Sequence, residues 1–195
     1  MVGGIAVAGN NVLLSNVQEC LVVVMDVQQK LTAAMPNGVR ERVLARIKIL
    51  LTTANTLSVP IMVTEQYPKG LGHTEPALSE QLTGAMTVIE KTSFSAMNAA
   101  GFAEHVEQSG RKQIVLVGME THICILQTAL DMQAAGFQVF VVEDAVSSRS
   151  KANQYNALQR LRGAGVIVTN VESVFFEWLG DADRAEFKTL AKLIL

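Results

Sequence analysis

At 195 residues, 49% of them hydrophobic and 17% charged, the chain is long enough for one compact domain with a substantial core. A formal net charge of −2, with lysines and arginines dispersed rather than massed, argues against a nucleic-acid partner, which needs a basic stripe. No apolar run has the length of a membrane span, and the opening MVGGIAVAGNNVLLSN lacks the basic residues of a targeting signal, so no membrane partner is expected.

In chain order, CLVVVMD (20–26) is a continuous apolar run, as a strand covered on both faces should be. The stretch 38–57 carries Val39, Val43, Ile47, Leu50 and Leu51 at helical spacing, with arginines between them. VPIMVTE (59–65) is the next strand, with Pro60 tolerable at its start, and QYPKGLGHTEPA (66–77) reads as a loop on its prolines and glycines. AMTVIEK (85–91) predicts a third strand and 97–110 a helix closed by Gly110. QIVLVGM (113–119) is the fourth strand and THICILQTALDMQAAG (121–136) its helix, ending at Gly136. FQVFVVED (137–144) is a fifth strand, 151–165 a helix, VIVTN (166–170) a sixth strand, and VESVFFEWL with DRAEFKTLAKLIL closing helices. No repeat, linker or low-complexity tract interrupts this alternation, so residues 1–195 read as a single domain. The expected fold is α/β: a Rossmann-like three-layer α/β/α sandwich on a six-stranded parallel sheet, in the common doubly wound order 3-2-1-4-5-6.

In such sheets ligands bind beyond the carboxyl ends of the strands. Three reactive residues fall there: Asp26 after the first strand, Lys91 closing the third, and Cys124 just after the fourth. Each alone has an ordinary explanation: a turn carboxylate, a solvated lysine, a small apolar filler. Their shared edge raises the case for chemistry. Thr121 is a plausible N-cap, which puts Cys124 at the third helical position, where free amides and the helix dipole favour the thiolate. A neighbouring carboxylate then serves as general base, and a lysine in reach stabilises developing anions. The only other cysteine, Cys20, lies far away with no disulfide or zinc spacing, which points to a reducing, intracellular and most simply cytoplasmic compartment.

The stretches VVVMDVQQK, VPIMVTEQYP, VIEKTSFSA and VLVGMETHICILQTALDM together resemble the isochorismatase-like cysteine hydrolases, over residues 20 to 180. The most specific element is Gly-x-x-Thr-x-x-Cys following a strand. The resemblance implies Asp26 as base, Lys91 as electrostatic helper and Cys124 as nucleophile. It further implies a non-proline cis peptide at Met119–Glu120 and an oxyanion hole from the amides of Glu120 and Cys124. Isochorismate-cleaving members lack the cysteine, so Cys124 favours attack on an amide, carbamoyl or imide-like carbon through a thioester. Metal-dependent nicotinamidases carry Asp-x-His after the second strand. Here that place offers only Glu65 and His73, which do not make a metal site, and no cofactor is implied. The loops are closest to the metal-free subgroup of eukaryotic isochorismatase-domain proteins.

His105 reads as a surface residue, His73 as part of a covering loop, and His122 as a pocket or supporting residue. Gln28, Tyr67 and Phe94 follow strand ends and are further candidates for the substrate pocket. Two alternatives keep the fold without the reaction: a silent binding or scaffold protein, and a redox-sensing thiol protein. A homo-oligomer is expected, because the mean hydropathy of +0.28 leaves apolar surface to cover. Val174, Phe175, Phe176, Trp178 and Leu179 also gather more bulk than one core stripe usually needs. The family resemblance points the same way.

Overall fold

A computed structural model of the chain describes residues 13–82 and 87–194. The apolar opening through residue 12, and Ala85 and Met86 of the expected third strand, lie outside the described residues. The strands are β1 (Cys20–Met25), β2 (Ile61–Gln66), β3 (Thr87–Lys91), β4 (Gln113–Met119), β5 (Gln138–Ser147) and β6 (Ile167–Thr169). All pair in parallel, in the order β3-β2-β1-β4-β5-β6. The helices are α1 (Gln29–Ala33), α2 (Val39–Thr56), α3 (Pro68–Leu71), α4 (Phe102–Gln108), α5 (Leu126–Ala134), α6 (Lys151–Gly163), α7 (Val171–Leu179) and α8 (Phe187–Leu190). Among the described residues no helix is long and apolar enough to cross a membrane.

The two-residue period of the strands divides the core into two layers. Val22, Val24, Val115 and Val117 face one side, with Ile47 and Leu51 of α2 and Phe175 and Trp178 of α7. Leu21, Val23, Ile114 and Leu116 face the other, with Phe102 of α4, Ala129 and Met132 of α5 and Leu161 of α6. Both faces of β1 and β4 are therefore apolar, which is why they read as unbroken hydrophobic runs. The outer strand β3 differs, because Val88 is left exposed on it.

Several local expectations are revised. The stretch 66–77 is not all loop: Gln66 completes β2, and α3 and a 3₁₀ turn at Pro76–Leu78 follow. A helix was not expected at Gln29–Ala33. The helix expected over 97–110 begins only at Phe102, because Gly101, in the left-handed region at φ 80°, breaks it from a 3₁₀ turn at Ala96–Asn98. In α7, Val171, Val174, Phe175, Trp178 and Leu179 form one stripe at helical spacing and are all buried, while Phe176 is exposed. Phe175 and Trp178 therefore pack into the core, and Phe176 stays on the surface.

Candidate active site

The order of the sheet brings the site together. The chain runs outward from β1 to β3, then returns to place β4 on the other side of β1. The crevice at this reversal lies between the ends of β1 and β4. Asp26 leaves β1 with φ 52°, a left-handed conformation that aspartate tolerates better than most residues. Its amide donates to the Thr64 carbonyl at 3.0 Å, and its carboxylate accepts from Thr64 Oγ1 at 2.6 Å. Thr64 follows the apolar Ile61, Met62 and Val63 of β2 with a short hydroxyl.

Lys91 ends β3, with β2 between it and β1, and reaches the same place. Its Nζ lies 2.8 Å from Asp26 Oδ2, and neither side chain is exposed. It also donates to Gln66 Oε1 at 2.6 Å, to the carbonyls of Ser93 and Phe94 at 3.3 Å, and toward Cys124 Sγ at 3.6 Å. Burying a lysine in apolar surroundings is costly, and these oxygens together with the carboxylate offset that cost.

Cys124 is placed by the turn after β4. Gly118 is required there: a Cβ on it would lie 2.0 Å from the Met25 carbonyl oxygen, so no larger residue permits this approach of β4 to the end of β1. The peptide between Met119 and Glu120 is cis. The chain then enters a π-helical turn, Thr121–Ile125, in which the Glu120 carbonyl accepts from the amides of Ile123 and Ile125, straddling Cys124. The expected cap is revised. Glu120 occupies the cap position, the Thr121 hydroxyl is buried without a hydrogen-bond partner among the described residues, and Cys124 is the fourth residue of the turn rather than the third.

The expected thiolate is also revised. Burial first, and then the adjacent Asp26 carboxylate, push the Cys124 thiol up to about 12, against the opposing pull of Lys91. Both effects, together with a hydrogen bond from the thiol to Asp26, favour the protonated thiol over the thiolate. Cys20 is pushed to about 12 as well, chiefly by burial, and sits at the opposite edge of the sheet.

The remaining candidates separate. Gln28 is fully buried, donating to the carbonyls of Gln66 and Gly72 and accepting from the Gln66 amide, so it braces the strand ends rather than lining a pocket. Tyr67 and Phe94 are each 55% exposed at the rim. A cavity of about 460 Å³, lined by Tyr67, Pro68, Lys91, Ser93, Asn98 and Ala99, adjoins the site through Lys91, while Asp26 and Cys124 lie outside its lining. His122 Nδ1 lies 2.9 Å from Ser148 Oγ and 3.6 Å from the buried Glu120 carboxylate, which also pairs with Arg149 at 3.2 Å. His73 pairs with Glu65 at 2.9 Å, and Thr74 donates to the same carboxylate through its amide and hydroxyl. Among the described residues no cluster of three His, Cys, Asp or Glu side chains could hold a metal. Thr64 and Gln66 were not foreseen as site residues, although polar residues inside a buried strand are a usable signal.

The isochorismatase domain matches residues 20–173, which span every element from β1 to the start of α7. The chain belongs to the isochorismatase family. Isochorismatase domain-containing protein 1 of Salmo salar is 44% identical over 145 residues, covering 74% of this chain and 50% of that protein. The chain thus spans about half the length of that relative. Among solved structures, the MAR1 ribonuclease of Caenorhabditis elegans superposes with a TM-score of 0.86 at 36% identity, over 93% of this chain and 92% of that one. The YcaC gene product of Escherichia coli, described as an octameric hydrolase of unknown specificity, gives a TM-score of 0.86 at 24% identity, over 93% and 89%. That second likeness speaks to the isochorismatase-like hydrolase fold alone.

Proposed function

We propose that this isochorismatase-family chain hydrolyses a C–N bond of a small amide-, carbamoyl- or imide-like molecule through a thioester on Cys124. The observation that carries the proposal is the buried convergence of Asp26, Lys91 and Cys124 from three strand ends. With a neutral thiol at rest, sulfur attacks the carbonyl carbon as its proton passes to Asp26. The charge that develops on oxygen is met by Lys91 and by the amides of Glu120 and Cys124. The C–N bond then breaks as nitrogen leaves with the proton from Asp26. Water attacks the thioester, giving a carboxylic acid and restoring the thiol. No metal or cofactor enters these steps. Intact-mass measurement during turnover tests the proposal: the expected result is an acyl adduct on Cys124, absent from Cys124→Ala.

The triad geometry favours this over a silent scaffold, since a binding protein has no need of a buried lysine–aspartate pair against a thiol. It also weighs against a redox sensor, because burial and Asp26 disfavour the thiolate, and Cys20 lies at the other end of β1. The name of the C. elegans neighbour raises RNA as an alternative substrate. A net charge of −2 without a basic stripe favours a small molecule. Degradation of RNA by the wild type and not by Cys124→Ala would overturn that preference.

The same proposal includes a single catalytic domain over 1–195 and an intracellular setting suited to two free cysteines. It includes a homo-oligomer as well, supported by the exposed apolar side chains of Tyr67, Val88 and Phe94 on and beside β3, near the mouth of the site.

A further inference from the structure

Lys91 is held from two sides. Asp26 and Gln66 take its Nζ on the side of β1 and β2, and the carbonyls of Ser93 and Phe94 take it on the side of the segment after β3. Those carbonyls belong to a short irregular stretch, so they are only as well placed as whatever fixes that stretch. Ser95 Oγ donates to Asp131 Oδ2 at 2.5 Å, the Ala96 amide donates to Thr128 Oγ1 at 2.9 Å, and Ser93 Oγ donates to the Ser95 carbonyl at 2.9 Å. Thr128 and Asp131 lie three residues apart on one face of α5. That helix continues from the turn that carries Cys124. Thr128 is fully buried, and its hydroxyl also contacts Met25 Sδ at 3.7 Å, one residue before Asp26. The segments bearing all three site residues therefore meet on one helix.

We propose that Asp131 and Thr128 are positioning residues that hold Lys91 against Cys124 by anchoring the segment 92–96. The role of Lys91 rests on the hydrolase reading above, but its placement can be read without any substrate. Asp26 and Lys91 are the two charged groups that act on the Cys124 thiol. When the anchor is cut, Lys91 drifts and its support for the thiolate weakens. Asp131 is exposed, so Asp131→Ala removes no core packing.

The test is the rate of acrylamide addition to Cys124 at pH 8 in the full chain, with Cys20 in the same sample as the control for general loosening. A displacement of about half to one pH unit slows addition about three- to tenfold in Asp131→Ala. Ser95→Ala, which cuts the same bond from the segment's side, should match it. Asp131→Asn, which keeps an oxygen acceptor for Ser95, should recover most of the rate, and Cys20 labelling should not move. An unchanged or faster Cys124 rate in Asp131→Ala and Ser95→Ala overturns the proposal. So does a parallel change at both cysteines. Turnover that survives Cys124→Ala would instead overturn the hydrolase reading, a result that alkylation cannot mimic.

Discussion

Lys91 and Asp26 form an ion pair at 2.8 Å in which neither side chain is exposed. Lys91 has further oxygen acceptors in Gln66, Ser93 and Phe94, whereas the Asp26 carboxylate has, among the described residues, the Thr64 hydroxyl and the Cys124 thiol besides, both neutral groups. Removing the lysine alone therefore leaves a buried carboxylate without its counter-charge, and removing the carboxylate alone leaves a lysine still bound to oxygens.

The first prediction follows from that asymmetry. Lys91→Met should destabilise the fold by about 3–5 kcal/mol, as expected for breaking a buried pair. Asp26→Asn should cost less, and the double variant should recover much of the loss. Urea unfolding of the three variants measures the cycle. Equal losses from the two single changes, simply added in the double, would show that the pair is not coupled.

The second concerns reactivity. The Asp26 carboxylate is one of the causes that hold the Cys124 thiol near 12. Asp26→Asn should therefore speed alkylation of Cys124 while abolishing turnover, because the proposed base is gone. In the wild type, alkylation should rise about tenfold per pH unit between pH 7 and 9 without a plateau. Iodoacetamide rates followed by peptide mass spectrometry measure both. A plateau below pH 8 would mean a preformed thiolate.

Much of this was legible in the sequence, for reasons that particular residues show. The apolar runs of β1 and β4 announce strands because both of their faces are covered. Asp26 and Cys124 stand out because they follow those runs, and Lys91 because it closes β3 at the same end of the sheet. The neutral thiol was not legible. A helix N-terminus alone favours a thiolate, and only the packing shows that burial and Asp26 outweigh it. Gln28 looked like a pocket residue because sequence shows its position after a strand, not the backbone groups that occupy its amide. Thr128 and Asp131 looked like ordinary helix residues, since their partners come from 32 and 36 positions away.

A third prediction concerns pH and the pair of Glu65 and His73. Glu65 is held below its usual range: burial opposes ionisation, but hydrogen bonds from His73 and Thr74 outweigh it. The hydrogen bond to Glu65 raises His73 above its ordinary value. The raised histidine contributes stability that is fully present below about pH 6.5 and lost as pH climbs through its folded value. The lowered carboxylate contributes stability present above about pH 4.3 and lost on acidification through its folded value. The pair should therefore help most between about pH 4.3 and 6.5. His73→Ala should flatten the dependence of the melting temperature on pH from that window up to pH 8, an effect kept small by the 78% exposure of the His73 side chain. An unchanged slope would remove the pair from the account.

A fourth prediction is assembly. Sedimentation velocity at micromolar concentration should show a species larger than the 21.0 kDa chain. Charged substitution at Val88 or Phe94, both exposed, should shift it toward the monomer. A single sharp monomer in the wild type would refute it.

Ammonia release from a panel of small amides, carbamoyl compounds and imides tests whether Cys124 is the nucleophile that cleaves a C–N bond. Release by the wild type that falls to the uncatalysed rate in Cys124→Ala, with the fold intact by circular dichroism, is the predicted result. Release that continues undiminished in Cys124→Ala would contradict it.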